Sequence, residues 1–133
     1  MNESTVQVGG HVTLLFSIHS ELLLARNQGS RGAGLCLEDG VEATAKIIPK
    51  GPDKISITSM DGTPFVDDVG LYSDLVESFR EIFNVQSPVQ IEVNLELPVS
   101  QGFGMSGAGL LAVGLALGEV FNCGDEGQLA RLA

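Results

Sequence analysis

The segment Leu97 to Gly109, LPVSQGFGMSGAG, gathers the residue types that could hold an anion. A strand feeding Gly102 and Gly104, followed by a helix opening at Ser106-Gly107-Ala108-Gly109, would expose unbonded N–H groups at the positive end of a helix dipole. Glycines let the backbone approach phosphate oxygens closely and take positive φ. A serine at the helix mouth can cap the helix, bind a phosphate oxygen or ligate magnesium. The plainer alternative is a strand–turn–helix joint in which Ser106 is only the N-cap, and a short glycine pattern alone does not separate the two.

A second string, Gly29-Ser30-Arg31-Gly32-Ala33-Gly34, places one arginine among glycines in an acidic chain. A guanidinium offers a planar fork suited to a carboxylate. His11 follows Gly9-Gly10; a lone histidine in such a place is more often structural than catalytic. His19 at a strand end carries little information, and Asp67-Asp68, Asp125 and Glu126 read as charges at helix starts. Cys36 and Cys123 are too few for a disulfide framework and lack metal-ligand spacing, which fits a reducing compartment.

The elements that must position these groups follow from hydrophobic period. Val6 to Val8, Val12 to Phe16, Leu35 to Leu37, Val41 to Ile48 and Lys54 to Met60 read as strands. The Glu38-Asp39-Gly40 step carries the Asp-Gly signal of a hairpin turn, and GSRGAG reads as a loop. Val69 to Phe83 has helical spacing, with Leu71, Leu75, Val76, Phe79, Ile82 and Phe83 as the apolar stripe. Val89 to Leu97 alternates apolar and polar residues, which predicts a strand with one buried and one wetted face, ended by Pro98. Ser106 to Phe121 reads as an apolar helix closed by Asn122-Cys123-Gly124. Another helix starts after Asp125, and its Leu129, Leu132 and Ala133 lack an obvious partner, so self-association, such as a homodimer, is expected.

Composition narrows the function. The 133 residues fit one domain, and with 44% apolar and 18% charged residues the chain can build a core. Seventeen acidic against seven basic residues leave a net charge of −10, which repels phosphate backbones and argues against nucleic acid as partner. The apolar run Gly107 to Gly118 is too short to cross a hydrocarbon layer roughly 30 Å thick, and the N-terminus lacks a signal-peptide pattern, so no membrane role is expected.

Three phosphate-binding patterns can be compared with the loop. A Walker A loop needs a lysine that is missing here. The dinucleotide fingerprint matches literally at Gly102 to Gly107, but it wants a strand buried on both faces running directly into the glycines. Pro98, Gly102, Gly104, Ser106, Gly107 and Ala108 resemble the second motif of the GHMP kinases, the family of galactokinase, homoserine kinase and mevalonate kinase. With Gly10-His11-Val12-Thr13 near the start and GSRGAG after it, the whole chain is similar to the archaeal pantoate kinases. There are departures: Gly9-Gly10 stands where that family carries proline, and Leu14-Leu15 where an aromatic run is common. The stretch Ser20 to Gln28 also lacks an expected acidic-proline step.

The resemblance implies an α+β GHMP-kinase N-terminal domain, a mixed and mostly antiparallel sheet with helices packed on one face. It implies a cytoplasmic ATP- and Mg2+-dependent kinase acting on pantoate, a small hydroxy acid, in coenzyme A biosynthesis. Pro98, Gly102, Phe103, Gly104, Met105, Ser106, Gly107 and Ala108 would hold the nucleotide, with Ser106 catalytic and near the metal. His11, Ser30 and Arg31 would hold the substrate. The family's catalytic carboxylates and its C-terminal domain are expected beyond Ala133, so residues 1–133 are expected to be inactive alone. A non-catalytic nucleotide- or partner-binding domain is the alternative, and a dinucleotide-dependent oxidoreductase stands third.

Overall fold

The computed structural model describes residues 2–19 and 29–133. The elements are β1 (Glu3–His19), β2 (Gly29–Ile47), β3 (Lys54–Thr58), α1 (Val69–Phe83), β4 (Val89–Leu95), α2 (Met105–Phe121) and α3 (Glu126–Leu132). The four strands form one sheet in the order β1-β2-β4-β3. The pairs β1–β2 and β2–β4 are antiparallel, whereas β3 lies parallel to β4. The expected mixed, mostly antiparallel sheet is therefore the one observed.

Alternation explains which face is covered. Val89, Ile91, Val93 and Leu95 of β4 are buried beside Val41, Ala43 and Ala45 of β2, while Glu92 and Asn94 face outward. The small Ala43 and Ala45 accompany an α2 buried along most of its length at Ala112, Val113, Ala116, Leu117 and Val120. A glycine at 109 permits the closest helix contact: a methyl group there would run into the Tyr72 hydroxyl of α1. Among the described residues, no helix is long and apolar enough to cross a membrane.

Four expectations need correction. Asp39-Gly40 does not close a hairpin; β2 runs through it, paired along its length with β1. Gly40 is buried, its N–H donates to Glu96 Oε1 (3.0 Å) and its carbonyl accepts from the Glu96 N–H (2.8 Å). The step is a bulge: Gly9 pairs with Gly40, but His11 already pairs with Cys36. GSRGAG is likewise strand, not loop, since residues 29–34 pair with β1. On α1 the buried stripe is Tyr72, Leu75, Val76 and Phe79, and Leu71 and Ile82 are exposed. Finally, Leu129 is buried against α2 at Gly118 and Leu132 is half-buried, so α3 does not present the bare apolar face expected of it. Its N-terminus is the expected one, with Asp125 and Gln128 in a reciprocal capping box.

Candidate functional site: a glycine loop and a basic cleft

The loop after β4 is built on left-handed backbone. Ser100 (φ 58°), Gly102 (φ 84°) and Gly104 (φ 64°) all take positive φ, which glycine adopts at little steric cost. Gly104, not Ser106, is the N-cap of α2, and no side chain caps this helix. The first intrahelical bond is Ala108 N–H to Gly104 O (3.0 Å). The N–H groups of Met105, Ser106 and Gly107 thus precede any carbonyl that could satisfy them within the helix. The first turn holds no acidic residue to oppose the dipole. The mouth is open: a Cβ at Gly102 or Gly107 would meet nothing within 4 Å.

Strand β1 pins this loop. The His11 N–H donates to the Phe103 carbonyl (2.8 Å), and Phe103 is half-buried while Met105 anchors the helix start in the core at 4% exposure. On its other side the His11 ring lies over Gly34, where a Cβ would crowd Nε2. His11, Thr13, Phe16, Arg31 and residues 32–34 line a cleft of about 320 Å³ beside the loop. Arg31 makes no ion pair among the described residues. A second, more apolar cleft of about 340 Å³ is lined by Met60, Leu95, Leu97, Pro98 and Val99, with Ser59 and Asp61 at its edge. The Ser106 hydroxyl donates to Asp68 Oδ2 at 3.3 Å. A larger cavity of about 480 Å³ flanks the far end of α2, but Glu119 and Glu126 line it without any basic side chain, which does not suit an anion.

The sequence pattern of the family described as GHMP kinases N terminal domain matches residues 71–133. A pantoate kinase of Methanospirillum hungatei is 30% identical over 119 residues, covering 85% of this chain and 37% of that protein. A solved structure described as a phosphotransferase related to the CoA biosynthesis pathway superposes with TM-score 0.72 at 25% identity, over 99% of this chain and 45% of its own. Residues 71–133 belong to the GHMP kinase N-terminal domain family. The fold extends the likeness over the rest: homoserine kinase from Cytophaga hutchinsonii superposes with TM-score 0.74 over 99% of this chain and 40% of its own, at 15% identity. The chain spans less than half the length of each of these relatives.

Within this GHMP-kinase domain the loop residues expected from sequence fall into two groups. Gly102, Gly104, Ser106 and Gly107 are exposed at the mouth. Met105 and Ala108 are buried, so their side chains belong to the core and only their backbone could face a ligand. Pro98 lies in the wall of the apolar cleft. His11 and Arg31 share the basic cleft, and the backbone of Ser30, next to Arg31 in β2, pairs with Ile18 of β1. Asp68 was missed, because a carboxylate 38 positions before Ser106 gives no sign in sequence of lying against it. Burial, helped by the charge of Asp68, pushes the Tyr72 phenol up to about 12. Among the described residues, no three His, Cys, Asp or Glu side chains are grouped to cage a metal. The Ser106 hydroxyl oxygen, with the Asp68 carboxylate behind it, still suits Mg2+, which commonly takes one or two protein ligands and shares the rest with phosphates and water.

Proposed function

We propose that this domain binds ATP with Mg2+ and serves transfer of its terminal phosphoryl group to a small hydroxy acid, with pantoate as the acceptor. The observation that carries the reading is the adjacency of two anion-binding features, joined by one residue. His11 bonds the glycine loop through its N–H and lines the Arg31 cleft with its ring. A nucleotide on the loop and an acid in the cleft would therefore lie side by side, as phosphoryl transfer requires.

Each group has a task. The N–H groups of residues 105–107 and the α2 dipole hold phosphate oxygens, and the apolar cleft beside Pro98 takes the base. Ser106 Oγ is the protein's oxygen toward Mg2+, which when bound neutralises charge on the phosphates. Arg31 grips the acceptor's carboxylate and leaves its hydroxyl facing the loop. The bond from the γ-phosphorus to the bridging oxygen breaks and releases ADP, a new bond from that phosphorus to the hydroxyl oxygen forms, and the hydroxyl proton passes to solvent water. The 30% identity to a pantoate kinase supports the choice of acid.

Calorimetry with a non-hydrolysable ATP analogue and with pantoate tests the reading. Arg31→Ala should weaken pantoate binding about tenfold and spare the nucleotide, whereas Gly104→Val should weaken nucleotide binding and spare pantoate. Absence of nucleotide binding by the wild-type chain, or pantoate binding indifferent to Arg31, would sink it.

A further inference from the structure

Asp68 stands at the N-cap of α1, where an aspartate ordinarily accepts hydrogen bonds from the first-turn N–H groups. Here its side chain makes no cap bond. Its Oδ2 is instead the acceptor for the Ser106 hydroxyl, at the N-terminus of the neighbouring helix. Helix register explains the pairing. Tyr72, one turn into α1, is buried with its hydroxyl against Gly109, one turn into α2. Residues three or four apart share a helix face, so seating Tyr72 over Gly109 sets residue 68 opposite residue 106.

We propose that Asp68 is a positioning residue for the cation side of the nucleotide site, an inference that rests on the function proposed above. By accepting the hydroxyl hydrogen of Ser106, the carboxylate turns the lone pairs of Oγ toward the loop mouth. A carboxylate so close to a phosphate site is repulsive unless a cation stands between them. Asp68 therefore makes the site favour nucleotide with Mg2+ over nucleotide alone.

The test compares the affinity of ADP with and without Mg2+, by calorimetry, in wild type, Asp68→Ala and Asp68→Asn. In the alanine variant, metal-free ADP should bind as tightly as in wild type or more so, while the gain from Mg2+ falls about tenfold, the usual scale for a lost hydrogen bond to a charged group. Asparagine keeps an acceptor for the Ser106 hydroxyl but not the charge, so it should restore only part of the gain. A merely structural role would weaken both forms of the nucleotide together and lower the melting temperature, and that result overturns the inference. So does an alanine variant with the wild-type Mg2+ gain, or an asparagine variant no better than alanine. Failure of wild type to bind ADP at all would instead bring down the nucleotide reading itself.

Discussion

The two ends of the β1–β2 ladder are made from the same pair of strands and do different work. In the proximal half, residues 3–9 pair with 40–46, and β2 continues the sheet into β4. Val41, Ala43 and Ala45 there have no exposed surface. In the distal half, residues 11–19 pair with 29–36 and, among the described residues, no third strand joins them. Leu14, Leu15, Phe16 and Leu35 are each more than half exposed. The change comes at the bulge between Gly9 and His11, the place where His11 is tied to the glycine loop. Stability is concentrated on one side of that bulge, and the chemistry attributed to Arg31 lies on the other. A binding strand that contributes little to the core can vary in sequence without unfolding the domain.

The sharpest way to break this comparison is to delete apolar volume on each side. Ile91→Ala, against the proximal half, should cost about 2–5 kcal/mol of unfolding free energy. Leu15→Ser in the distal half should stay within about 0.5 kcal/mol of wild type. Denaturant midpoints at constant m-value decide the matter; equal losses would mean the distal strands are part of the cooperative core.

A second, smaller effect probes the same core through its ionisation. Tyr72 is the chain's single tyrosine, so phenolate absorbance reports it alone. Its folded value of about 12 lies above the ordinary phenol value of 10.0, burial being the first cause. Stability is then complete below pH 10 and drains away between 10 and 12, because only the unfolded chain ionises there; the total is roughly 3 kcal/mol. A phenol that titrates near 10 in the folded protein would show that Tyr72 is not seated as described.

These contrasts also explain what the sequence made legible. The bounds of α1 and the alternation of β4 are written in periodicity, and both agree with the structure, apart from the last two residues of β4. Which stripe of α1 is buried is not so written: Tyr72 has a polar end, and only its seat over Gly109 makes it a core residue. Asp39-Gly40 misled because the same glycine chemistry serves a turn and a bulge, and the choice depends on Glu96, more than fifty residues away. GSRGAG lacks the alternation of a strand and is held as one by pairing with β1. The positive φ of Gly102 and Gly104 could be read because it depends on local backbone freedom, whereas Asp68 reaches Ser106 only through helix packing.

On the distal side, Arg31→Ala should leave the melting temperature unchanged and weaken acid binding about tenfold, the scale of one charge-assisted hydrogen bond. Arg31→Lys should recover only part of it, since an ammonium cannot make the paired contact of a guanidinium. Differential scanning calorimetry beside titration with pantoate separates the two quantities. A fall in melting temperature comparable to that of Ile91→Ala would place Arg31 in the stabilising half and erase the distinction.

The smallest effect sharpens the proximal side at its edge. Asp53, just before β3, accepts two hydrogen bonds from Arg80 of α1, both 2.6 Å, and one from the Val89 N–H that begins β4 (2.9 Å). One carboxylate thus clamps three elements. The Arg80 hydrogen bond, partly opposed by burial and aided by Val89 and by the Arg80 charge, holds the Asp53 carboxyl below its ordinary value of 3.8. For a depressed carboxyl, the stabilisation is whole above the unfolded value and disappears as pH falls through the folded one. Both side chains are partly exposed, at 26% and 29%, so solvent and salt screen the pair and Asp53→Asn should cost only about 0.5–1 kcal/mol at pH 7. Urea unfolding of the two proteins at pH 7, at pH 2 and in high salt checks this. The gap between them should narrow both in acid and in salt. A gap that ignores both conditions would leave the charge of Asp53 without a part in holding β3 to the sheet.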